Sequence, residues 1–195
     1  MFLSPSARTH ASVLDRVSSK LTTKHETTIV RVIQALLGIA VLAALAQLRV
    51  HIGPVPITGQ TFGVLLIGAL FGRNMAGITL SGYVLIGALG APIFTGGGSG
   101  ITALLGPTGG YLLGFIVAAW LLGNAAERGV FTTRTKATLA MLGAHAVIYL
   151  FGALWLMNAL QVGVIGAVTI GIAPFVLGDM LKVVLAAEVL TRASK

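Results

Sequence analysis

Cysteine is missing from all 195 residues, which excludes disulfides, thiolate-bound zinc, iron–sulfur clusters and thiol catalysis. Acidic residues are nearly missing too: five Asp plus Glu stand against thirteen Lys plus Arg, and charged residues make up only 9% of the chain. Soluble domains carry roughly 25%, so a chain this poor in charge is an integral membrane protein, as its mean hydropathy of +0.96 also indicates. In that setting the net charge of +8 marks cytoplasmic membrane ends and not a nucleic-acid surface. No Gly-Lys dipeptide occurs, so the phosphate-binding G-x-x-x-x-G-K-[ST] loop is absent as well.

What is abundant is long apolar sequence. Residues 1–28 are polar and Ser/Thr-rich, with no apolar run that makes a signal-peptide core, and read as a cytoplasmic tail ahead of one membrane domain, 29–195. Residues 29–48 supply the roughly 20 apolar positions needed to cross about 30 Å of hydrocarbon. Comparable stretches cover 108–126, 137–157 and 171–191. Between 57 and 90, two apolar runs flank the polar pair Arg73-Asn74 and read either as one long helix or as two short ones. Charge decides between them, because cytoplasmic loops are enriched in Lys and Arg. Two helices give six spans with both termini cytoplasmic. Arg8, Arg16, Lys20, Lys24, Arg31, Arg73, Arg128, Arg134, Lys136, Arg192 and Lys195 then lie on the inner side, Arg49 alone lies outside, and Lys182 lies within a span. Glycines such as Gly63, Gly68 and Gly82 within the spans permit close helix packing.

The most informative residues lie in the last span, where Asp179 and Lys182 stand three apart on one helical face. At ~1.5 Å per residue they are roughly 12 to 16 Å from the start of that span, near the midplane. Charges there are expensive, by ~2.5 to 3.5 kcal/mol each, and normally face the bundle interior and serve a substrate or ion path. Either they form a self-neutralising pair that locks helices together, or they make a polar recognition pair at the floor of an apolar pocket. The outer loops, HIGPVPITGQ (51–60) and GAPIFTGGGSGITALLGPTGG (90–110), carry no acidic residue. They either lid such a pocket or serve as flexible connectors. Thr58 and Gln60 end the first loop, Tyr111 opens the fourth span, Asn158 closes the fifth, and His145 lies inside the fifth. Ala40 and Ala44, one turn apart in the first span, form a small-residue face that suits another membrane helix.

Four segments in order, VPITGQTFGVLLIGALFG (55–72), YVLIGALGAPIFTGGGSG (83–100), LLGPTGGYLLGF (104–115) and PFVLGDMLK (174–182), resemble the BioY family of biotin transporters. Members are substrate-binding S components of energy-coupling factor (ECF) transporters. The resemblance spans roughly residues 30–192 and implies an all-α, six-helix S-component bundle in the bacterial cytoplasmic membrane, with a biotin site on its outer side. It carries the biotin-contacting acid and base of the GDxxK motif over to Asp179 and Lys182. Two ureido N–H donors suit the carboxylate and the ureido carbonyl suits the ammonium, although Lys182 serves equally well to neutralise the valerate carboxylate. Gln60 and Tyr111 join the site by their side of the membrane, and Ala40 and Ala44 become the contact with the ECF transmembrane coupling protein. ATP hydrolysis falls to partner ATPase subunits, and the chain itself calls for no cofactor or metal.

Two other classes compete with this reading. A carrier working without ATPase partners, proton-coupled or facilitated, has Asp179 or His145 as its proton site. A rhomboid-like serine protease draws on Gly97-Gly98-Ser99-Gly100 with His145 as base. In the six-span arrangement roughly half of the ~30 Å core separates that serine from that histidine, whereas a base must come within ~3 Å of its nucleophile. The chain is therefore expected not to be an enzyme.

Overall fold

A computed structural model describes residues 27–193. The predicted tail thus lies outside the described residues except for its last two positions, which already belong to the first helix. Helix α1 runs Thr27–Gln47. A short antiparallel pair follows, β1 (Arg49–Val50) with β2 (Ile57–Thr58), in the register Arg49 to Thr58 and Val50 to Ile57. Then come α2 (Gln60–Ala88), α3 (Gly100–Leu105), α4 (Gly109–Glu127), α5 (Arg134–Ala159), α6 (Val164–Gly171) and α7 (Val176–Ala193).

Apart from that strand pair the described residues are mainly helical, and among them four helices, α1, α2, α4 and α5, are each long and apolar enough to cross a membrane. The pair α6 and α7, bent by 56°, makes a fifth if taken as one span. Among the described residues seven α-helices stand where the sequence pattern predicts six, because the two helices predicted within 57–90 run together as α2 while two short helices, α3 and α6, are added. One of these is α3, whose six residues reach only ~9 Å. The other is α6, which lies ahead of the predicted last span, 171–191, and is separated from α7 by a break containing Pro174, a residue with no N–H to continue a helical ladder.

Helix α2 is not a straight rod. Gly72 has φ 74° and ψ 165°, a conformation essentially restricted to glycine. The chain reverses there: the Gln60 side-chain amide donates to the Tyr83 hydroxyl at 2.9 Å, whereas 23 residues of straight helix would hold them ~34 Å apart. Helix α1 packs against both arms, with Leu42 and Leu45 at Gly63 on the first and Ile39 at Gly82 on the second. The turn is fastened by α4. Gly123 lies so close to the main chain of Gly72 and Arg73 that a side chain there would collide with it. Glu127 accepts the Arg73 N–H at 2.8 Å, placing an acid at the start of the second arm, where the helix dipole favours one.

The centre of the bundle is α4, the most buried of the four long helices, whereas α1 is the most exposed. The glycines of α4 make this possible. Gly110 and Gly114 abut Phe151, Trp155 and Ile148 of α5, and Gly68 of α2 abuts Ala119 and Leu122. Without a hydrophobic drive between helices in lipid, such small-residue contacts are the main source of close packing.

Candidate functional site

At the end of the bundle opposite the Gly72 turn, β2, the start of α2, the 91–99 loop, α4, α5 and α7 converge on a recess of about 510 Å³, its open mouth included. Apolar walls come from Val55, Pro56, Leu112, Phe115, Ile148 and Phe175, and polar groups from Thr58, Gln60, Thr61, Thr95, Thr108, Tyr111, Tyr149, Asp179 and Lys182. An apolar pocket with a few convergent polar groups is the usual form of a small-molecule site. The four residues that sequence assigns to binding, Asp179, Lys182, Gln60 and Tyr111, all line this one recess.

Asp179 owes its position to the break between α6 and α7. The chain restarts as helix at Val176, so Asp179 sits in the first turn of α7, its N–H bonded to the Phe175 carbonyl at 2.8 Å. A carboxylate at a helix start is favoured by the dipole. Discontinuous membrane helices whose ends point into a cavity are a recurrent way of building a substrate site.

The carboxylate is held on both oxygens. Oδ1 accepts from Lys182 Nζ at 2.8 Å and from the Thr61 hydroxyl at 2.9 Å, and Oδ2 accepts from the Tyr149 hydroxyl at 2.7 Å. Lys182 spends its remaining two donors on the Thr58 carbonyl at 2.8 Å and Thr61 Oγ1 at 2.9 Å. The Lys182 side chain is 19% exposed and that of Asp179 only 4%, so a molecule entering the recess meets the ammonium first. The pair contributes no net charge, and its hydrogen bonds offset the desolvation that burial imposes on each ion.

Gln60 has a different role. Its carbonyl accepts from the hydroxyls of Thr58 at 3.2 Å and Thr95 at 2.9 Å while its amide reaches Tyr83, which donates onward to the Ile93 carbonyl at 2.8 Å. Gln60 thereby ties the 51–59 and 91–99 loops to both arms of α2. The first loop is pinned further by the Gly59 N–H, bonded to the carbonyls of Leu45 and Leu48 at 3.1 and 3.0 Å. The glycine-rich loop meets the recess through Thr95, while Phe94 is buried edge-on against Tyr83, ring centroids 5.5 Å apart. Tyr111 is part of the wall but commits its hydroxyl to the Gly171 carbonyl at 2.6 Å, which fastens α4 to the end of α6.

Other residues fall elsewhere. Asn158 is exposed and bonds the Leu154 carbonyl of its own helix. Ser99 stands just before α3, whereas His145 is buried beside Asp179. Ala40 and Ala44 are both exposed on the outer face of α1. Sequence reasoning missed Thr61 and Tyr149. The available signals were the position of Thr61 next to Gln60 and the spacing of His145 and Tyr149, two polar rings one turn apart in an otherwise apolar helix.

Comparison with known proteins agrees with this architecture. The chain is 38% identical over 146 residues to a protein of Pyrococcus horikoshii named as a probable biotin transporter BioY, covering 75% of this chain and 85% of that one. It is 35% identical over 166 residues to the biotin transporter BioY of Thermotoga maritima, covering 85% and 96%. Among solved structures, the fold matches the S-component for biotin from an ECF-type ABC transporter with a TM-score of 0.77 at 23% identity, over 87% of this chain and 93% of that one. Residues 18–195 match the BioY family, and the chain belongs to that family.

Proposed function

We propose that the recess binds biotin and that the chain captures the vitamin for uptake as the substrate-binding subunit of an ECF-type transporter. The observation that carries this reading is the Asp179–Lys182–Thr61 cluster, set in the wall of an apolar recess in a BioY-family membrane protein. Biotin pairs a ureido ring, two donors and one acceptor, with apolar ring and chain carbons. Asp179 Oδ1 takes the ureido N–H groups, Lys182 gives one of its N–H groups to the ureido carbonyl, and Phe115, Ile148 and Phe175 cover the carbons. Gln60 holds the two loops across the mouth, and Tyr111 shapes the wall.

Each arm of α2 counts as one span. With α1, α4, α5 and the α6–α7 pair this makes six, and both termini face the cytoplasm. Charge supports that orientation. Arg31, Arg73 and Glu127 gather near the Gly72 turn, and Arg134 and Arg192 both pair with Glu188, at 3.3 and 2.6 Å. Arg49 lies beside Gly96 in the loops over the recess. The recess therefore opens outward in the cytoplasmic membrane, and a transmembrane coupling protein with ATPase subunits drives release on the other side.

The test is equilibrium binding of labelled biotin to the purified chain, with Asp179→Asn as control. Saturable binding weakened by ~1 to 3 kcal/mol in the control, the range for a buried polar partner left unsatisfied, is the expected result. Unchanged affinity in a folded Asp179→Asn protein removes Asp179 from the site.

A further inference from the structure

Resting on the assignment of the recess to biotin, we infer that His145 is a positioning residue that acts on the ligand only through Asp179. Its side chain is 4% exposed and does not line the recess. It lies on the other side of the carboxylate, in a cleft between α5 and α7 whose walls include Leu142, Val176, Met180 and Val183 and which shares Asp179 and Tyr149 with the recess. Asp179 is thus the partition between two spaces, one receiving ligand and the other holding an imidazole.

The two carboxylate oxygens have different neighbours. Oδ1 faces Lys182 and Thr61, both on the wall of the recess. Oδ2 faces Tyr149 at 2.7 Å and His145 Nε2 at 3.6 Å. A carboxylate offers about four acceptor positions. Three are used by Lys182, Thr61 and Tyr149, and the vacant one is that nearest to His145. The ring is buried with Nε2 unpartnered among the described residues. Its other nitrogen stands 3.3 Å from the Met141 carbonyl, and the ring packs edge-on against Tyr149 with centroids 5.9 Å apart.

A buried polar atom without a partner is costly, and closing the gap from 3.6 Å to hydrogen-bond distance needs a shift of well under 1 Å. The Nε2 proton that this bond requires is present in the Nε2–H tautomer, in which Nδ1 makes no bond to the Met141 carbonyl, and in the doubly protonated ring, which can donate to both oxygens. Ligand N–H groups arriving at Oδ1 compete with Lys182 and Thr61 for it. A carboxylate held only there would rotate with the exchange. With Oδ2 fixed by Tyr149 and His145, Oδ1 changes partners while the plane of the group stays constant. Oδ1 is the exchange side and Oδ2 the anchored side.

The experiment measures labelled-biotin affinity for the purified chain, its His145→Leu, His145→Gln and Asp179→Asn variants, and the His145→Leu/Asp179→Asn double variant, each with a melting curve. His145→Leu is expected to bind about tenfold more weakly, the scale of a lost hydrogen bond to a charged group. His145→Gln, which keeps an N–H donor near the position of Nε2, restores affinity to within about threefold of wild type, since most of that hydrogen bond is regained. In the Asp179→Asn background the leucine has no further effect, because residues that act through one another are not additive. Should His145→Leu fail to fold, His145→Met removes the donor with a closer match in length. Wild-type affinity in the apolar variant alongside a weakened Asp179→Asn overturns the inference and leaves the biotin site standing. A glutamine variant as weak as the apolar one, or additive losses in the double variant, likewise reduces His145 to packing. Unchanged binding in Asp179→Asn overturns both the site and the inference.

Discussion

The Tyr149 hydroxyl donates to Asp179 Oδ2 at 2.7 Å, while Lys182 donates to Oδ1 at 2.8 Å, so the two side chains divide the carboxylate between them. Tyr149→Phe keeps the ring and deletes one charge-assisted bond. Biotin affinity is expected to fall by ~1.5 kcal/mol, roughly tenfold in Kd, and the melting temperature to fall as well, because the deleted bond is already made in the ligand-free fold. Titration calorimetry beside a thermal melt separates the two effects, and an unchanged Kd refutes the role.

Lys182→Met leaves Asp179 as a buried carboxylate without its counter-ion. Breaking a buried pair from one side typically costs ~3 to 5 kcal/mol, so the variant should melt well below wild type and lose biotin. Adding Asp179→Asn removes the stranded charge. The double variant is expected to recover most of the melting temperature but none of the binding, whereas a double variant as unstable as the single would show that the cost lies in packing.

Gly72→Ala puts a side chain at φ 74° and ψ 165°, next to the Glu127 carboxylate. Strain of this kind costs ~1 to 3 kcal/mol, and the turn joins the two arms that Gln60 and Tyr83 bridge. A lower melting temperature, measured in detergent with and without biotin, is the expected outcome. No shift would mean that the turn tolerates another conformation.

Ala40→Leu and Ala44→Leu enlarge an exposed face of α1 that does not line the recess. Biotin binding to the isolated chain should remain at the wild-type value. ATP-driven uptake with the coupling protein and ATPases present should drop several-fold, because a membrane-helix contact built on small residues does not admit a bulky one. Uptake that persists in both variants would place the contact elsewhere, and uptake by the chain alone, collapsed by an uncoupler, would favour the partner-independent carrier.

Much of this candidate site was legible one residue at a time. A charged pair in an apolar span is visible in sequence because burying charge in lipid is expensive whatever the fold. Lys and Arg sort by side of the membrane for equally local reasons. The role of Gln60 was less legible. Sequence puts it on the outer side, but its partners Thr95 and Tyr83 lie 35 and 23 residues away, and only the folded chain brings them into reach. Tyr149 passes in sequence for another aromatic in an apolar helix until Asp179, 30 residues on, is seen against it.

The amino-acid sequence by itself determined that this is a multi-pass membrane protein, which family it belongs to, and which two ionisable residues stand three apart in its last apolar segment, since hydropathy, motif order and charge are read along the chain. Tertiary structure alone decided that α2 turns back at Gly72, that the chain breaks before Val176 so that Asp179 begins a helix instead of sitting inside one, and that Thr61, Tyr149 and His145 surround its carboxylate. The physical reason is distance along the chain. The Asp179 bonds to Tyr149 and Thr61 span 30 and 118 residues, and contacts of that kind exist only once close helix packing has brought the segments together.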